Sequence, residues 1–233
     1  MNDDRGKDGL HLDVTVPAAG VPLDGYLTIP AGARAIVAFA HGSGSGRNSP
    51  RNQYVAQMLR DRGLGTLLFD LLTENEAMTD NRTGHLRFDI SRLGQRVTGA
   101  VDWLANNRDT EHLAIGRFGA STGAAAALLA AAERQSEVAV VVSRGGRPDL
   151  AGPFLGRVKA PTLLIVGGND TPVIGMNRDA FNQMQCEKRI EIVPGATHLF
   201  EEPGTLEQVT RLAADWFLQH LARAEKGARA VST

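Results

Sequence analysis

Short runs of apolar residues, each long enough for one buried strand, recur along this chain with helix-length segments between them. Ala35–Ala40 reads Ala-Ile-Val-Ala-Phe-Ala, and Gly65–Asp70, Val138–Val142 and Thr162–Val166 repeat the pattern. A continuous apolar run, as opposed to an alternating one, is what a strand needs when helices cover both faces of its sheet. The intervening segments carry helical signals. Residues 50–62 open with Pro50 and close at Gly63, the two ends at which these residue types suit a helix. Residues 87–106 place Ile90, Leu93, Val97, Val101 and Leu104 on one helical face. Residues 122–133 are mostly alanine, residues 175–185 read as a further helix, and Leu206, Val209, Leu212, Ala213, Trp216, Phe217 and Leu221 form a stripe along a last helix over about 205–223. Strands are also expected at Leu113–Phe118 and Arg189–Val193, and residues 11–16 and 23–29 alternate as a hairpin pair. Residues 71–86 read as polar and irregular, residues 147–158 as short and aperiodic, and both termini, including the tail after Gly227, as frayed. Alternation of this kind predicts an α/β fold with a doubly wound, mainly parallel sheet and helices on both faces.

No composition break or linker divides the 233 residues, so one domain is expected, with a core over about 10–222. The net charge of −1 provides no electrostatic footprint for nucleic acid or an anionic membrane. No apolar run approaches the length of a membrane span. The polar N-terminus has no apolar signal region, and the single Cys186 excludes an internal disulfide. A cytoplasmic setting is therefore expected, with the chain either a monomer or a homodimer. One cysteine and scattered histidines provide no zinc or iron–sulfur spacing, and no metal or organic cofactor is expected.

In open α/β sheets the ligand sits outside the carboxyl ends of the strands. His41-Gly42-Ser43-Gly44-Ser45-Gly46 follows the strand at Ala35–Ala40, and Asp70 ends the next one. Gly119-Ala120-Ser121-Thr122-Gly123 follows Leu113–Phe118 and fits G-x-S-x-G, in which small residues permit a sharp strand-to-helix turn that presents the serine. Ser143, Arg144, Gly145 and Gly146 follow the strand at Val138–Val142; Gly167-Gly168-Asn169-Asp170 and Gly195-Ala196-Thr197-His198 follow the last two strands. A serine hydroxyl is a poor nucleophile until a neutral imidazole takes its proton, and the imidazole in turn needs a carboxylate to hold its tautomer. Ser121, His198 and Asp170 are the candidates for these three roles. The backbone N–H groups of Ser43 and Thr122 are the candidate donors to the oxyanion of an acyl-transfer intermediate.

Each assignment has a plainer rival. Asp170 stands where it could cap a helix opening at Thr171-Pro172, which would leave Asp70 or Asp149 as the acid. Asp70 is otherwise expected to tie down its own loop. His41 is read as orienting the glycine loop by hydrogen bonding, with a substrate contact as the alternative. Arg144 and Arg147 either fix loop geometry, with Asp149 as one partner, or attract an acidic substrate. The glycine run lacks the Gly-Lys-Ser/Thr ending of a phosphate-binding P-loop.

Taken together, the His-Gly-Ser-Gly loop, the Gly-Ala-Ser-Thr-Gly turn, the Gly-Gly-Asn-Asp strand end and the Gly-Ala-Thr-His loop resemble the α/β-hydrolase fold over roughly residues 10–222. Within that fold the chain is similar to the small, lidless dienelactone hydrolase-like group. The order Ser, Asp, His is the one that fold uses. Dienelactone hydrolases proper use a cysteine nucleophile, whereas position 121 is serine, which moves the expected activity from a dienelactone towards a serine carboxylesterase with a small-molecule ester as substrate. The connection over residues 143–161 is too short for a cap domain, so an open site for short acyl chains is expected. Lactone or dienelactone opening, amide cleavage or acyl transfer by the same residues is the alternative, and a non-catalytic hydrolase-like binding protein is the reading from another class.

Overall fold

The computed structural model describes residues 9–231, with side chains as far as Leu221. Eight strands form one sheet: β1 (Leu10–Ala18), β2 (Val21–Ile29), β3 (Ala35–Ala40), β4 (Gly65–Phe69), β5 (Ala114–Ala120), β6 (Val138–Arg144), β7 (Thr162–Gly167) and β8 (Lys188–Val193). Their order across the sheet is β1-β2-β4-β3-β5-β6-β7-β8. β1 and β2 form an antiparallel hairpin whose two-residue turn, Ala19-Gly20, has positive φ at both positions, the turn that matches strand twist. β2 pairs antiparallel with β4, and β3 to β8 run parallel.

Among the described residues there are six α-helices: α1 (Pro50–Asp61), α2 (Glu74–Thr83), α3 (Ile90–Asn106), α4 (Thr122–Glu133), α5 (Thr171–Gln183) and α6 (Thr205–Val231). α1 and α6 pack on one face, where Val55, Leu59, Val209 and Phe217 meet Val37, Phe39, Val140 and Val142. α3, α4 and α5 pack on the other. Every residue of α4 from Thr122 to Ala132 is buried, so its alanines are a packing requirement: the helix lies between the sheet, α3 and the 3-10 segment Pro148–Arg157. Gly94 of α3 meets Leu129 there so closely that an added Cβ would stand 2.7 Å from its methyl group.

The topology sets the site. From β3 the chain leaves to α1 on one face; from the adjacent β5 it leaves to α4 on the other. Neighbouring strands whose connections diverge in this way leave a crevice at their carboxyl ends.

Several sequence expectations shift. α2 lies inside the stretch 71–86 that reads as irregular. It has no apolar periodicity, and its signals are at its ends: Thr73 and Glu76 form a reciprocal capping box, and Gly84 closes the helix at φ 66°. Glu76 also accepts from Arg92 (3.2 Å) and Arg96 (2.9 Å), which fastens α2 to α3. α5 begins at Thr171, four residues before the expected start, and α6 continues to Val231, past the expected fraying point at Gly227. The expected fraying of residues 1–8 lies outside the described residues.

Candidate active site

β5 ends in the turn that the Gly-Ala-Ser-Thr-Gly pattern predicts. Ser121 has φ 50° and ψ −123°, a conformation that a residue with a Cβ adopts only at a cost of about 1–3 kcal/mol. The flanking glycines are required by close approach. A Cβ on Gly119 would stand 2.8 Å from the Ala124 nitrogen, and one on Gly123 would stand 2.6 Å from the carbonyl carbon of Ala40. The turn thus presses against the end of β3, and Gly42 passes directly over the serine: a Cβ there would be 3.0 Å from that of Ser121.

His198 reaches this serine from the far side. The β8–α6 loop crosses the tops of β7 and β6, and small residues let it pass. A Cβ on Gly145 would be 2.9 Å from the His198 carbonyl oxygen, and one on Gly167 2.6 Å from that of Thr197. Asn169 holds the loop with its backbone N–H on the Ala196 carbonyl and its side chain on that of Gly195, both at 2.9 Å. Asn169, Gly145 and Gly167 are site residues with no sequence signal beyond being small or amide residues at strand ends.

The result is a chain of contacts. His198 Nδ1 lies 2.7 Å from Asp170 Oδ2, and His198 Nε2 lies 3.4 Å from Ser121 Oγ. Asp170 occupies the N-cap position of α5, yet its side chain makes no cap hydrogen bond and turns to the imidazole. The rival carboxylates are engaged elsewhere. Asp149 takes Arg147 in a forked pair (2.9 and 2.7 Å). Asp70 accepts the Arg47 backbone N–H at 2.7 Å and pairs with its guanidinium, so it secures the glycine loop after β3 and not its own. An Asp–His–Ser arrangement of this kind orients the ring, stabilises the imidazolium and draws the proton from the hydroxyl; separations near 3.4 Å tighten when substrate seats.

The glycine loop supplies the opposite wall. His41 Nε2 accepts the Leu71 N–H (3.0 Å), so the ring proton sits on Nδ1, which donates to the Gly42 carbonyl (2.9 Å). Burial pushes the His41 pKa below its ordinary value, so the ring stays neutral. With both nitrogens bonded to backbone, His41 orients the loop. The N–H groups of Ser43 and Thr122 have no partner among the described residues and flank the serine, Thr122 as the first residue of α4. A cleft of about 870 Å³ opens beside the loop, lined by Gly42, Ser43, Arg47, Asp70, Asp80 and Arg87 among others. α2 walls it, and Arg87, tied to Asp80 at 2.6 Å, lies over Gly44. Among the described residues no cluster of His, Cys, Asp and Glu could hold a metal ion, and no helix is long and apolar enough to cross a membrane.

Residues 23–223 match the family model described as the dienelactone hydrolase family. The chain belongs to this family. The crystal structure of dienelactone hydrolase from Anabaena variabilis is 59% identical, with a TM-score of 0.90 over 92% of this chain and 99% of that one. A Pyrococcus furiosus esterase, 17% identical, superposes with a TM-score of 0.71 over 91% of this chain and 92% of its own, a likeness of fold alone. A Mycobacterium tuberculosis protein with the provisional name phosphoribosyl transferase is 56% identical over 209 residues, 90% of this chain. The chain spans 46% of the length of that relative. The family member described here thus has a hydrolase fold with Ser121, His198 and Asp170 joined at its switch point.

Proposed function

We propose that this protein is a serine hydrolase that cleaves carboxylic esters through an acyl-enzyme. His198 takes the proton of Ser121 as the oxygen attacks the ester carbonyl, and Asp170 stabilises the imidazolium. The N–H groups of Ser43 and Thr122 receive the oxyanion. Collapse of the tetrahedral intermediate expels the alcohol, to which His198 returns the proton. Water, activated by the same imidazole, then releases the acid. The observation that carries this reading is the bridging position of His198, 2.7 Å from Asp170 and 3.4 Å from Ser121.

Labelling with a fluorophosphonate tests it. The folded protein is expected to gain one adduct at Ser121, and an unlabelled Ser121 in protein whose circular dichroism is native overturns the assignment.

Substrate size follows from the walls. The connection from β6 to β7 is only the short 3-10 segment Pro148–Arg157, with no cap domain to bury a long alkyl chain over Ser121, and the neighbouring cleft beside the glycine loop is walled in part by the ion-paired Arg47, Asp70, Asp80 and Arg87. Acetate and butyrate esters are expected to show kcat/KM at least about tenfold above that of dodecanoate, since a long chain gains no burial here. A higher kcat/KM for the long-chain ester would contradict this.

A second reading, lactone opening by the same residues, is favoured by the 59% identity to a protein described as a dienelactone hydrolase. A panel of matched open-chain esters and lactones separates the two by their relative kcat/KM.

A further inference from the structure

The end of β6 carries a cation that the ester chemistry leaves without a task. Strand alternation puts Arg144 on the same face as Val140 and Val142, which pack with α1 and α6. Arg144 is 7% exposed. Its Nε and Nη1 are enclosed and have no hydrogen-bond partner, and no carboxylate of the described residues pairs with it. Burial pushes its pKa down to about 10, and the neighbouring charge that acts on it is another cation, Arg51, which lowers it further. Arg51 stands in the first turn of α1, a turn with no acidic side chain, so the positive helix end adds to the same field. Arg51 Nη1 donates to Glu201 (3.0 Å), but its Nε is also enclosed and unpartnered.

The two positive charges repel, and the enclosed Nε and Nη1 of Arg144 and Nε of Arg51 have lost water without gaining acceptors, which is unfavourable. An anion between them removes both penalties. The backbone of Arg144 ties the place to the reaction centre: its carbonyl accepts the Ser121 N–H at 3.3 Å, and Gly145 lies against the His198 carbonyl. Arg117 is also buried without a partner, but it sits mid-strand in β5 at 0% exposure, where no ligand reaches it.

We propose that Arg144 and Arg51 form an anion subsite beside Ser121 that binds a phosphate group. A carboxylate offers two oxygens and is satisfied by one guanidinium fork, whereas a phosphate presents three oxygens to donors that arrive from two directions. The phosphate is either carried by the ester substrate or free in solution, and the role of the subsite in turnover rests on the esterase reading.

Calorimetric titration of Ser121→Ala protein with inorganic phosphate tests the site without any need for turnover. Saturable binding is expected, weakened about tenfold or more by Arg144→Gln and by Arg51→Gln. Arg144→Lys, a charge without the fork, should retain part of the affinity. Absence of saturation at millimolar phosphate, equal affinity in the Arg→Gln variants, or acetate binding as tightly as phosphate each overturns the proposal. If Arg144→Gln does not fold, Arg51→Gln decides, because that side chain is 33% exposed and is not part of the core. Two matched aryl acetates, one with a phosphate on the leaving group, identify the source. A kcat/KM ratio above one that collapses in Arg144→Gln assigns the phosphate to the substrate. A ratio of one with competitive inhibition by inorganic phosphate assigns it to the free ion, and a ratio of one without inhibition overturns the subsite. Failure of the titration leaves fluorophosphonate labelling untouched, and failure of labelling leaves phosphate binding untouched.

Discussion

Ser121→Ala is expected to lower kcat on an acetate ester by a factor on the order of 10^4 to 10^6, the range seen when the nucleophile of such a constellation is removed. Its effect on stability should be small. Alanine keeps the Cβ, so the strain at φ 50° is unchanged, and the substitution removes the 3.4 Å approach of the hydroxyl to His198 Nε2. The melting temperature is expected to stay within about 3 °C of the wild type, equivalent to roughly 1 kcal/mol for a chain of this size. Residual kcat within tenfold of wild type would remove Ser121 from the reaction, and a collapse in melting temperature would mean that the loss of rate reports unfolding.

Gly123→Ala should do the opposite, with its main effect on the fold. In an ordinary helix interior the change would stabilise by about 1 kcal/mol. Here the new methyl group would press into the carbonyls of Ala40 and His41, which are backbone groups that cannot rotate aside. The expected cost is about 3 kcal/mol, seen as a fall in melting temperature of about 6–12 °C. Activity should fall as well, because the displaced segment runs straight into Gly42 and Ser43. Gly175→Ala is the matching control: its Cβ would meet nothing within 4 Å inside α5, so a gain of about 0.5–1 kcal/mol is expected. Equal behaviour of the two variants would show that the packing of the turn against β3 is not what makes Gly123 necessary.

The reach of the sequence differed by element. Strands buried on both faces were legible because a continuous apolar run has few alternatives, and β3, β4 and β7 lie within a residue of the expected places. α4 matched its expected span at both ends, since the turn glycine fixes its start. α2 was not legible from periodicity, because its end caps and its ion pairs to α3 hold it, while its own faces are polar. The capping box at Thr73 and Glu76 was the available signal. Position in the chain also brought Ser121, Asp170 and His198 to the ends of three parallel strands, because side chains that follow such strands share one edge of the sheet.

Other features needed the fold. Three carboxylates competed for His198 in sequence; the structure separates them because Arg147 occupies Asp149 and Arg47 occupies Asp70, and no local pattern specifies those pairings. The neutral, loop-holding state of His41 depends on the Leu71 N–H, a backbone group 30 residues away. Arg144 and Arg147 looked equivalent as charges near a strand end, yet Arg147 finds its carboxylate and Arg144 is buried with its Nε and Nη1 unpartnered. By itself the sequence determined the parallel sheet, its helical layers and the residue types at the strand ends, because these follow from local periodicity and turn chemistry. Which charges are neutralised, which glycines are pressed by a neighbouring strand, and which guanidinium remains unpaired were decided only in three dimensions, because electrostatic and steric partners come from distant parts of the chain.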